Sequence, residues 1–234
     1  MTKKIILVIM SCFILACSGS EQELMDQAKK HIADGNYQLA VAQLDQVLKK
    51  NDQHLDAYNA KSYALFELKE YQKVIENNQK AINFQDTSYI PYYNMANAKR
   101  ELKDLSGAIE DYTTALKLSP EIKDIYINRG SVFFEVGKYV KAISDFESAI
   151  SLDPNDKLVY LNKAKTELKI DSIDHAIESL SGLLTLDSEH GEAHYWMGLT
   201  RISKGDPEAG CLHLNTALKL NFESAKAALK EYCE

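Results

Sequence analysis

The chain has 234 residues, a formal net charge of −7 at neutral pH and 45% hydrophobic residues, with only four prolines. An acidic chain without a cluster of Lys and Arg lacks the basic surface that phosphate binding needs, which argues against a nucleic-acid partner. The same charge argues against attachment through anionic lipid headgroups.

Residues 1–20 differ in character from the rest of the chain. Lys3 and Lys4 precede an apolar run, residues 5–16, which is followed by Cys17 and small polar residues. A bilayer span needs about 20 apolar residues, so a positive start with a shorter run is typical of an export signal. Removing the two lysines with this leader changes the formal charge from −7 to −9.

This segment resembles the signals of bacterial lipoproteins, in which an apolar–small box precedes the modified cysteine, here residues 14–17 (Ile-Leu-Ala-Cys). The resemblance implies a signal peptide over residues 1–16, a lipidated Cys17 and a polar tether over residues 17–20. Two or three acyl chains give stable membrane anchoring, and Ser18 would favour the outer membrane in enterobacteria-like sorting. The alternative is an ordinary secretory signal in which Cys17 is incidental.

Residues 123–156 show helical periodicity in two blocks, broken at Gly137 and stopped at Pro154. Two amphipathic helices of this size need a neighbouring copy to bury their apolar faces. Shifting the stretch by 34 residues in either direction, without insertion or deletion, covers the chain from residue 21 to residue 224. The six resulting units are residues 21–54, 55–88, 89–122, 123–156, 157–190 and 191–224.

Small residues dominate two positions of the unit. The eighth residues are Ala28, Ser62, Ala96, Gly130, Ala164 and Gly198, and the twentieth are Ala40, Val74, Ala108, Ala142, Ala176 and Gly210. Only a side chain of about one methyl group lets two helix backbones approach to ~8–10 Å. We therefore expect the two helices of each unit to cross at these positions.

The turns between the two blocks carry glycine in three units. Gly35, Gly137 and Gly205 would supply the left-handed conformation that ends a helix. The side chains placed to cap the second helix are those of Asp104, Ser172 and Asp206.

The pattern resembles the tetratricopeptide repeat (TPR), a 34-residue unit with an aromatic–small–aromatic motif followed by Ala, Phe, Ala and Pro. The fourth unit has Tyr126, Gly130, Phe133, Ala142, Phe146, Ala149 and Pro154 at these positions. The resemblance covers residues 21–224 and implies an all-α, right-handed superhelical solenoid of six helix-turn-helix repeats. Residues 225–234 would then form a short capping helix over the last repeat.

The sequence departs from the family at the seventh position, which is usually Leu. Asn78 also stands where a large residue is expected, and we expect the affected hairpins to pack less tightly. The polar seventh residues are Gln27, Lys61, Arg129 and Lys163.

Catalytic motifs are absent from the sequence: there is no glycine-rich phosphate loop, nucleophile elbow or metalloprotease motif. The nearest approach to a metal pair is His190 and His194. His190 falls in a turn between units, however, and a metal site needs three or four converging ligands. We therefore predict a protein that is not an enzyme and has neither a cofactor nor a metal site.

Cys211 and Cys233 leave two interpretations open. A disulfide closing this loop of about 20 residues would contribute about 3 kcal/mol in an oxidising envelope. The alternative is two unrelated residues, one in an apolar core position and one in a frayed terminus, because bonding requires the two helix ends to meet within about 7 Å.

In the family, first helices line a concave groove that binds a peptide or a partner helix. The residues at groove-facing positions include Asn59, Tyr63, Phe66, Tyr93, Asn97, Arg100, Ile127, Phe134, Leu161, Lys165 and Tyr195. An apolar and aromatic lining with a few polar groups suits such a ligand, and Tyr suits interfaces because it is amphipathic. The alternative for residues such as Phe66 and Phe134 is that they only pack neighbouring first helices.

Together these features predict a membrane-anchored TPR lipoprotein of the bacterial cell envelope, with the outer membrane favoured. Its groove would bind a peptide or helix of another envelope protein, as an adaptor in assembly or biogenesis. Similar architectures occur among pilus-biogenesis pilotins, outer-membrane assembly lipoproteins and peptidoglycan-hydrolase adaptors. The alternative is a structural spacer or self-associating lipoprotein, which would tolerate groove substitutions such as Tyr93→Ala.

Overall fold

Thirteen α-helices and no strand occur in residues 19–84 and 87–234, the part of the chain that the computed structural model describes. The predicted all-α class is therefore confirmed. The predicted signal peptide, residues 1–16, and Cys17 lie outside the described residues. None of the described helices is both long and apolar enough to cross a membrane.

The helices alternate as first and second members of successive pairs. The first helices are α1 (Glu21–Ala33), α3 (Leu55–Glu67), α5 (Ile90–Glu101), α7 (Lys123–Glu135), α9 (Lys157–Lys169) and α11 (Gly191–Ser203). The second helices are α2 (Tyr37–Lys50), α4 (Tyr71–Ile82), α6 (Leu105–Leu118), α8 (Tyr139–Leu152), α10 (Ile173–Leu186) and α12 (Pro207–Lys219), followed by the single helix α13 (Ser224–Tyr232). Each second helix begins 34 residues after the previous one. The sequence period is thus the structural period.

The contacts between helices show which side of the array is concave. Each helix packs on its neighbours along the chain, and each first helix also contacts the first helix of the adjoining pair. Within the described residues, no second helix contacts another second helix. First helices therefore lie closer together than second helices, which curves the solenoid and places the first helices on its inner surface. We call the inner surface formed by α3, α5, α7, α9 and α11 the groove.

Paired helices cross at the small residues, as predicted. Ala96 and Ala108 are fully buried where α5 meets α6. The last pair brings two backbones together: a Cβ at Gly198 would lie 2.9 Å from the carbonyl oxygen of Gly210, and one at Gly210 would lie 2.8 Å from that of Gly198. At Gly130, a Cβ would lie 2.9 Å from the Phe146 ring. A larger side chain would force these helices apart.

Buried ion pairs replace the usual apolar contact at two of the polar seventh positions. Arg129 donates two hydrogen bonds to Asp145, at 2.8 Å from Nε and 2.7 Å from Nη2, and Asp145 is only 4% exposed. In the next unit, Lys163 pairs with buried Glu167 at 2.9 Å. Removing Arg129 or Lys163 would leave the carboxylate of Asp145 or Glu167 buried without its cation.

The turn between paired helices adopts a left-handed backbone at the same position in all six pairs. The glycines predicted for this role are confirmed, and three residues with side chains share their conformation. The φ angles are 72° at Gly35, 59° at Lys69, 64° at Lys103, 73° at Gly137, 57° at Asp171 and 89° at Gly205.

Two of the three predicted caps form. The carboxylates of Asp104 and Asp206 accept hydrogen bonds from the backbone N–H three residues on, at 3.0 and 3.2 Å. The prediction for Ser172 is wrong, because its hydroxyl instead lies 2.9 Å from His175 Nδ1 and forms no capping bond.

The closing helix α13 takes the place that the first helix of a further pair would occupy. It packs on α12 and α11 and buries Ala225 and Ala228. A disulfide joins Cys211 on α12 to Cys233 just beyond α13, with Cα atoms 5.9 Å apart. The disulfide therefore holds the closing helix against the last pair.

The last pair also contains two half-buried histidines in contact. The Nδ1 atoms of His194 and His213 lie 2.9 Å apart, and His194 Nε2 lies 3.0 Å from the carbonyl oxygen of Ser188. In the neutral pair, His194 therefore donates through Nε2 and accepts from His213 at Nδ1. Burial lowers the pKa of His213 below its ordinary value of 6.5, and His194 and Arg201 lower it further.

The left-handed turns lead to a stability prediction. Lys69→Gly should raise the free energy of unfolding by about 0.5–1 kcal/mol, because a left-handed backbone costs a residue with a Cβ about 1–2 kcal/mol and the greater freedom of unfolded glycine offsets part of the gain. Chemical denaturation followed by circular dichroism measures the change. Gly137→Lys, at the same turn position two pairs later, should lower stability by a similar amount; equal stabilities for both variants and wild type would contradict this account.

The pKa of His213 predicts how stability depends on pH. Because the folded chain holds this histidine neutral more strongly than the unfolded chain does, the stabilisation is fully present above about pH 6.5 and is lost as the pH falls through the lower folded pKa. We expect His213→Gln to reduce the loss of thermal stability between neutral pH and about pH 5. Melting curves that fall in parallel for variant and wild type would rule out this contribution.

Candidate functional site

The predicted groove residues all lie on first helices. By helix they are Asn59, Tyr63 and Phe66 on α3; Tyr93, Asn97 and Arg100 on α5; Ile127 and Phe134 on α7; Leu161 and Lys165 on α9; and Tyr195 on α11. Tyr63 is the most open of them, at 50% exposure. All the others except Leu161 are half-buried.

One pocket opens between α3 and α5 and has a volume of about 160 Å³. Four predicted residues line this α3–α5 pocket, Tyr63, Phe66, Tyr93 and Asn97, together with Ser62, Val74 and Asn94. The Phe66 ring is held edge-on by Tyr71 on α4, with ring centroids 5.2 Å apart. The result is an aromatic pocket with amide groups on one side.

Asn78, near the α3–α5 pocket, is fully buried where the third and fourth units have Tyr112 and Phe146. Its amide nitrogen donates to the Val74 carbonyl oxygen at 2.8 Å. The neighbouring Asn77 donates to the Tyr58 carbonyl oxygen, also at 2.8 Å. Each of these buried amide nitrogens thus donates to a backbone carbonyl, and Asn77 Nδ2 also donates to Ser62 Oγ at 2.8 Å.

A second pocket opens between α7 and α9 and has a volume of about 100 Å³. Two predicted residues line this α7–α9 pocket, Phe134 and Lys165, together with Ser131, Phe146, Asn162 and Thr166. Tyr139 holds the Phe134 ring edge-on, with centroids 5.5 Å apart. This pocket thus repeats the aromatic arrangement of the first.

A hydrogen-bonded network extends from the wall of the α3–α5 pocket toward the α7–α9 pocket. Asn97 Oδ1 accepts from the Tyr112 hydroxyl at 2.5 Å, and Asn128 Nδ2 donates to the Tyr93 hydroxyl oxygen at 2.9 Å. Arg100 Nη1 lies 3.4 Å from Asn128 Oδ1. Burial raises the pKa of Tyr112 well above its ordinary value, so the hydroxyl remains a donor. We call these five residues the polar bridge.

Trp196 is a groove-side residue that the sequence reasoning missed. Lys165 Nζ lies 2.5 Å from Glu192 Oε1 and 5.6 Å from the centre of the Trp196 ring, while the indole N–H donates to the same carboxylate oxygen at 3.2 Å. Burial raises the pKa of Glu192, but hydrogen bonds from Lys165 and Trp196 outweigh it and leave the pKa below its ordinary value. Trp196 is the chain's only tryptophan, and this feature of the sequence could have identified it as a candidate binding residue.

Some predicted residues are not brought into either pocket. Leu161 is 4% exposed and packs in the core with Leu180 and Met197, so it is a core residue and does not line the groove. Tyr195 packs between Trp196 and Phe222, at centroid distances of 5.5 and 5.1 Å, and thus contacts the segment that leads into α13. Asn59 and Ile127 lie on the groove helices but line neither pocket; Ile127 packs against the core around Phe146.

The histidines do not form the metal pair considered from the sequence. His190 Nδ1 accepts the backbone N–H of Ala193 at 3.2 Å and thereby caps α11. Across residues 19–84 and 87–234, no group of three or more His, Cys, Asp or Glu side chains is arranged to hold a metal ion. The chemistry that the groove does offer is apolar burial beside hydrogen-bonding amides.

Family models described as tetratricopeptide repeat or TPR repeat match residues 25–82, 96–137 and 124–156. No curated protein matches the chain.

Solved structures with a similar fold include YrrB, described as a TPR protein with an unusual peptide-binding site. It is 19% identical, with a TM-score of 0.71 over 80% of this chain and 97% of that one. The C-terminal part of a TPR repeat-containing protein from Cytophaga hutchinsonii is 16% identical, with a TM-score of 0.74 over 86% of this chain and 80% of that one. PilF of Pseudomonas aeruginosa is 18% identical, with a TM-score of 0.70 over 86% and 91%.

At these identities the structural likeness concerns the fold alone, while the family models match the repeats themselves. The chain therefore carries tetratricopeptide repeats and folds as a helical solenoid.

Proposed function

We propose that the chain is a non-enzymatic scaffold, anchored in the bacterial cell envelope by lipid on Cys17, whose groove binds a segment of another envelope protein. The observation that carries the binding role is the pair of aromatic pockets on one continuous inner surface, with the polar bridge between them. Pockets of about 100 and 160 Å³ suit single side chains of a larger partner. The peptide-binding site of the structurally similar YrrB supports a peptide as ligand.

Two features support the envelope location. Residues 14–17 resemble the lipoprotein box, with Ile14 at a position where Leu is commoner. Because α1 begins at Glu21, a lipid on Cys17 would hold the first pair close to the membrane surface. Ser20 and Glu23 form a capping box at the N-terminus of α1: the Ser20 hydroxyl accepts a hydrogen bond from the Glu23 N–H, and the Glu23 carboxylate accepts one from the Ser20 N–H. The Cys211–Cys233 disulfide suits an oxidising compartment.

The lipid anchor is tested by Cys17→Ser. We expect wild type to incorporate labelled palmitate and to fractionate with membranes, and the variant to lose both properties because its hydroxyl replaces the acylated thiol. Cys12→Ser, which changes a cysteine inside the apolar run, is the matched control and should behave as wild type. A Cys17→Ser variant that still incorporates palmitate would refute lipidation at this residue.

The groove is tested by placing a photo-crosslinking amino acid at one position at a time in cells. We expect capture of a specific partner from position 63, on α3 in the groove, and not from position 140, on α8. Tyr63 is 50% exposed and Val140 is 72% exposed, so the control position is at least as accessible. Adding Phe134→Ala should weaken capture from position 63.

The opposite pattern would contradict a binding groove. Capture from position 140 alone, or capture that Phe134→Ala leaves unchanged at position 63, would favour the alternative of a spacer or self-associating protein. If the captured protein is another copy of this chain, the chain self-associates.

A further inference from the structure

The two pockets occupy equivalent places two repeats apart. Each contains a Phe at the twelfth position of its unit, Phe66 or Phe134, held edge-on by a Tyr on the following helix, Tyr71 or Tyr139. The residues that face these rings across each pocket are also equivalent, since they come from the sixth and ninth positions of the next unit. They are Asn94 and Asn97 in the α3–α5 pocket and Asn162 and Lys165 in the α7–α9 pocket.

The place between the pockets is chemically different. The third unit has Arg100 where the second and fourth have Phe. Arg100 and Asn128 belong to the polar bridge, which takes the position of a third pocket. The groove therefore presents apolar, polar and apolar surfaces in that order along its axis.

The repeat geometry sets the distance between the pockets. Adjacent first helices are in direct contact, and packed helices lie about 8–10 Å apart, so two repeats span about 16–20 Å. An extended chain rises about 3.3 Å per residue, which makes this span five or six residues. An α-helix rises about 1.5 Å per residue and would need about 11–13 residues for the same span.

The polar bridge favours an extended ligand. The Nδ2 atom of Asn97 has no hydrogen-bond partner among the described residues, although Asn97 Oδ1 accepts from Tyr112. Among the described residues, the Arg100 guanidinium makes only long polar contacts, 3.4 Å to Asn128 and 3.5 Å to Glu101. An extended peptide has free backbone groups for these donors, whereas a helix has already used its own.

Charge indicates what flanks the apolar residues of the ligand. Glu67, Glu101 and Glu135 recur at the thirteenth position of successive units and are exposed beside the groove. Glu135 pairs with Lys103 at 3.0 Å and Glu101 lies 3.5 Å from Arg100, whereas Glu67 has no ion-pair partner among the described residues. Without the leader lysines the chain has a formal charge of −9 in place of −7. Such a surface attracts a basic segment.

We infer that the groove recognises an extended, basic peptide that places two large apolar side chains, five or six residues apart, in the α3–α5 and α7–α9 pockets. This inference rests on the proposed function, because it specifies the ligand of the same groove.

The test uses synthetic fluorescein-labelled peptides of Ser and Lys that contain two Phe residues at separations from three to twelve. Fluorescence anisotropy with the full lipid-anchored chain in detergent measures their affinity. We expect the tightest binding at a separation of five or six, and a loss of about tenfold when either Phe becomes Ala, since each anchor contributes separately. Replacing Lys by Glu in the peptide should also weaken binding.

Protein variants assign each anchor to its pocket. Phe66→Ala and Phe134→Ala should each reduce affinity for the two-anchor peptide by about tenfold, but by no more than about twofold for a one-anchor peptide that can use the other pocket. Because both rings are half-buried, Ser131→Trp provides a second test by filling the α7–α9 pocket while keeping Phe134. Val140→Ala, 72% exposed on α8, is the control and should bind as wild type.

The result that overturns the inference is an affinity that does not depend on the separation of the Phe residues, or one that peaks at eleven or twelve. Binding of none of the peptides, with partner capture from position 63 intact, would also overturn it while leaving the proposed groove function standing. If photo-crosslinking from position 63 captures no partner, the proposed function itself is refuted.

Discussion

The close approach of paired helices at small residues is the constraint on which the rest of the structure depends. Gly198 and Gly210 show it most directly, because an added Cβ at either would meet the carbonyl oxygen of the other. This contact fixes the hairpin, and the 34-residue spacing of second helices repeats it along the chain. Since first helices also contact one another and second helices do not, repetition of one contact produces a curved solenoid with a defined inner surface.

That inner surface can vary because most of the fully buried core lies outside it, although Phe66 and Phe134 also pack against core side chains. The fully buried side chains include Ala96, Tyr112 and Ala142, and these hold the pairs together. Groove residues therefore carry other chemistry: Phe66 and Phe134 in pockets, with Arg100 between them at the equivalent position. Most of the residues that stabilise the fold are thus distinct from those available to select a partner.

The sequence predicts the fold well because helix pairing leaves periodic signals, such as the small residues and Gly137 at the turn. The residue type does not predict the left-handed turn at Lys69, because lysine has no preference for that conformation. Lys69 adopts it because it occupies the same position of the repeat as Gly35 and Gly137. The burial of Leu161 and the contact of Lys165 with Trp196 depend on side-chain directions between neighbouring units. Both are set by three-dimensional packing, which the 34-residue pattern does not encode.

The most direct test of the central claim, that the inner surface is the binding surface, is hydroxyl-radical footprinting of the chain in intact cells and after purification. We predict that oxidation of Tyr63 and Phe134 is lower in cells, while oxidation of Val140 and Leu212, 72% and 68% exposed on second helices, is unchanged. Equal oxidation of the groove residues in both samples, with protection of Val140 or Leu212 in cells, would contradict it.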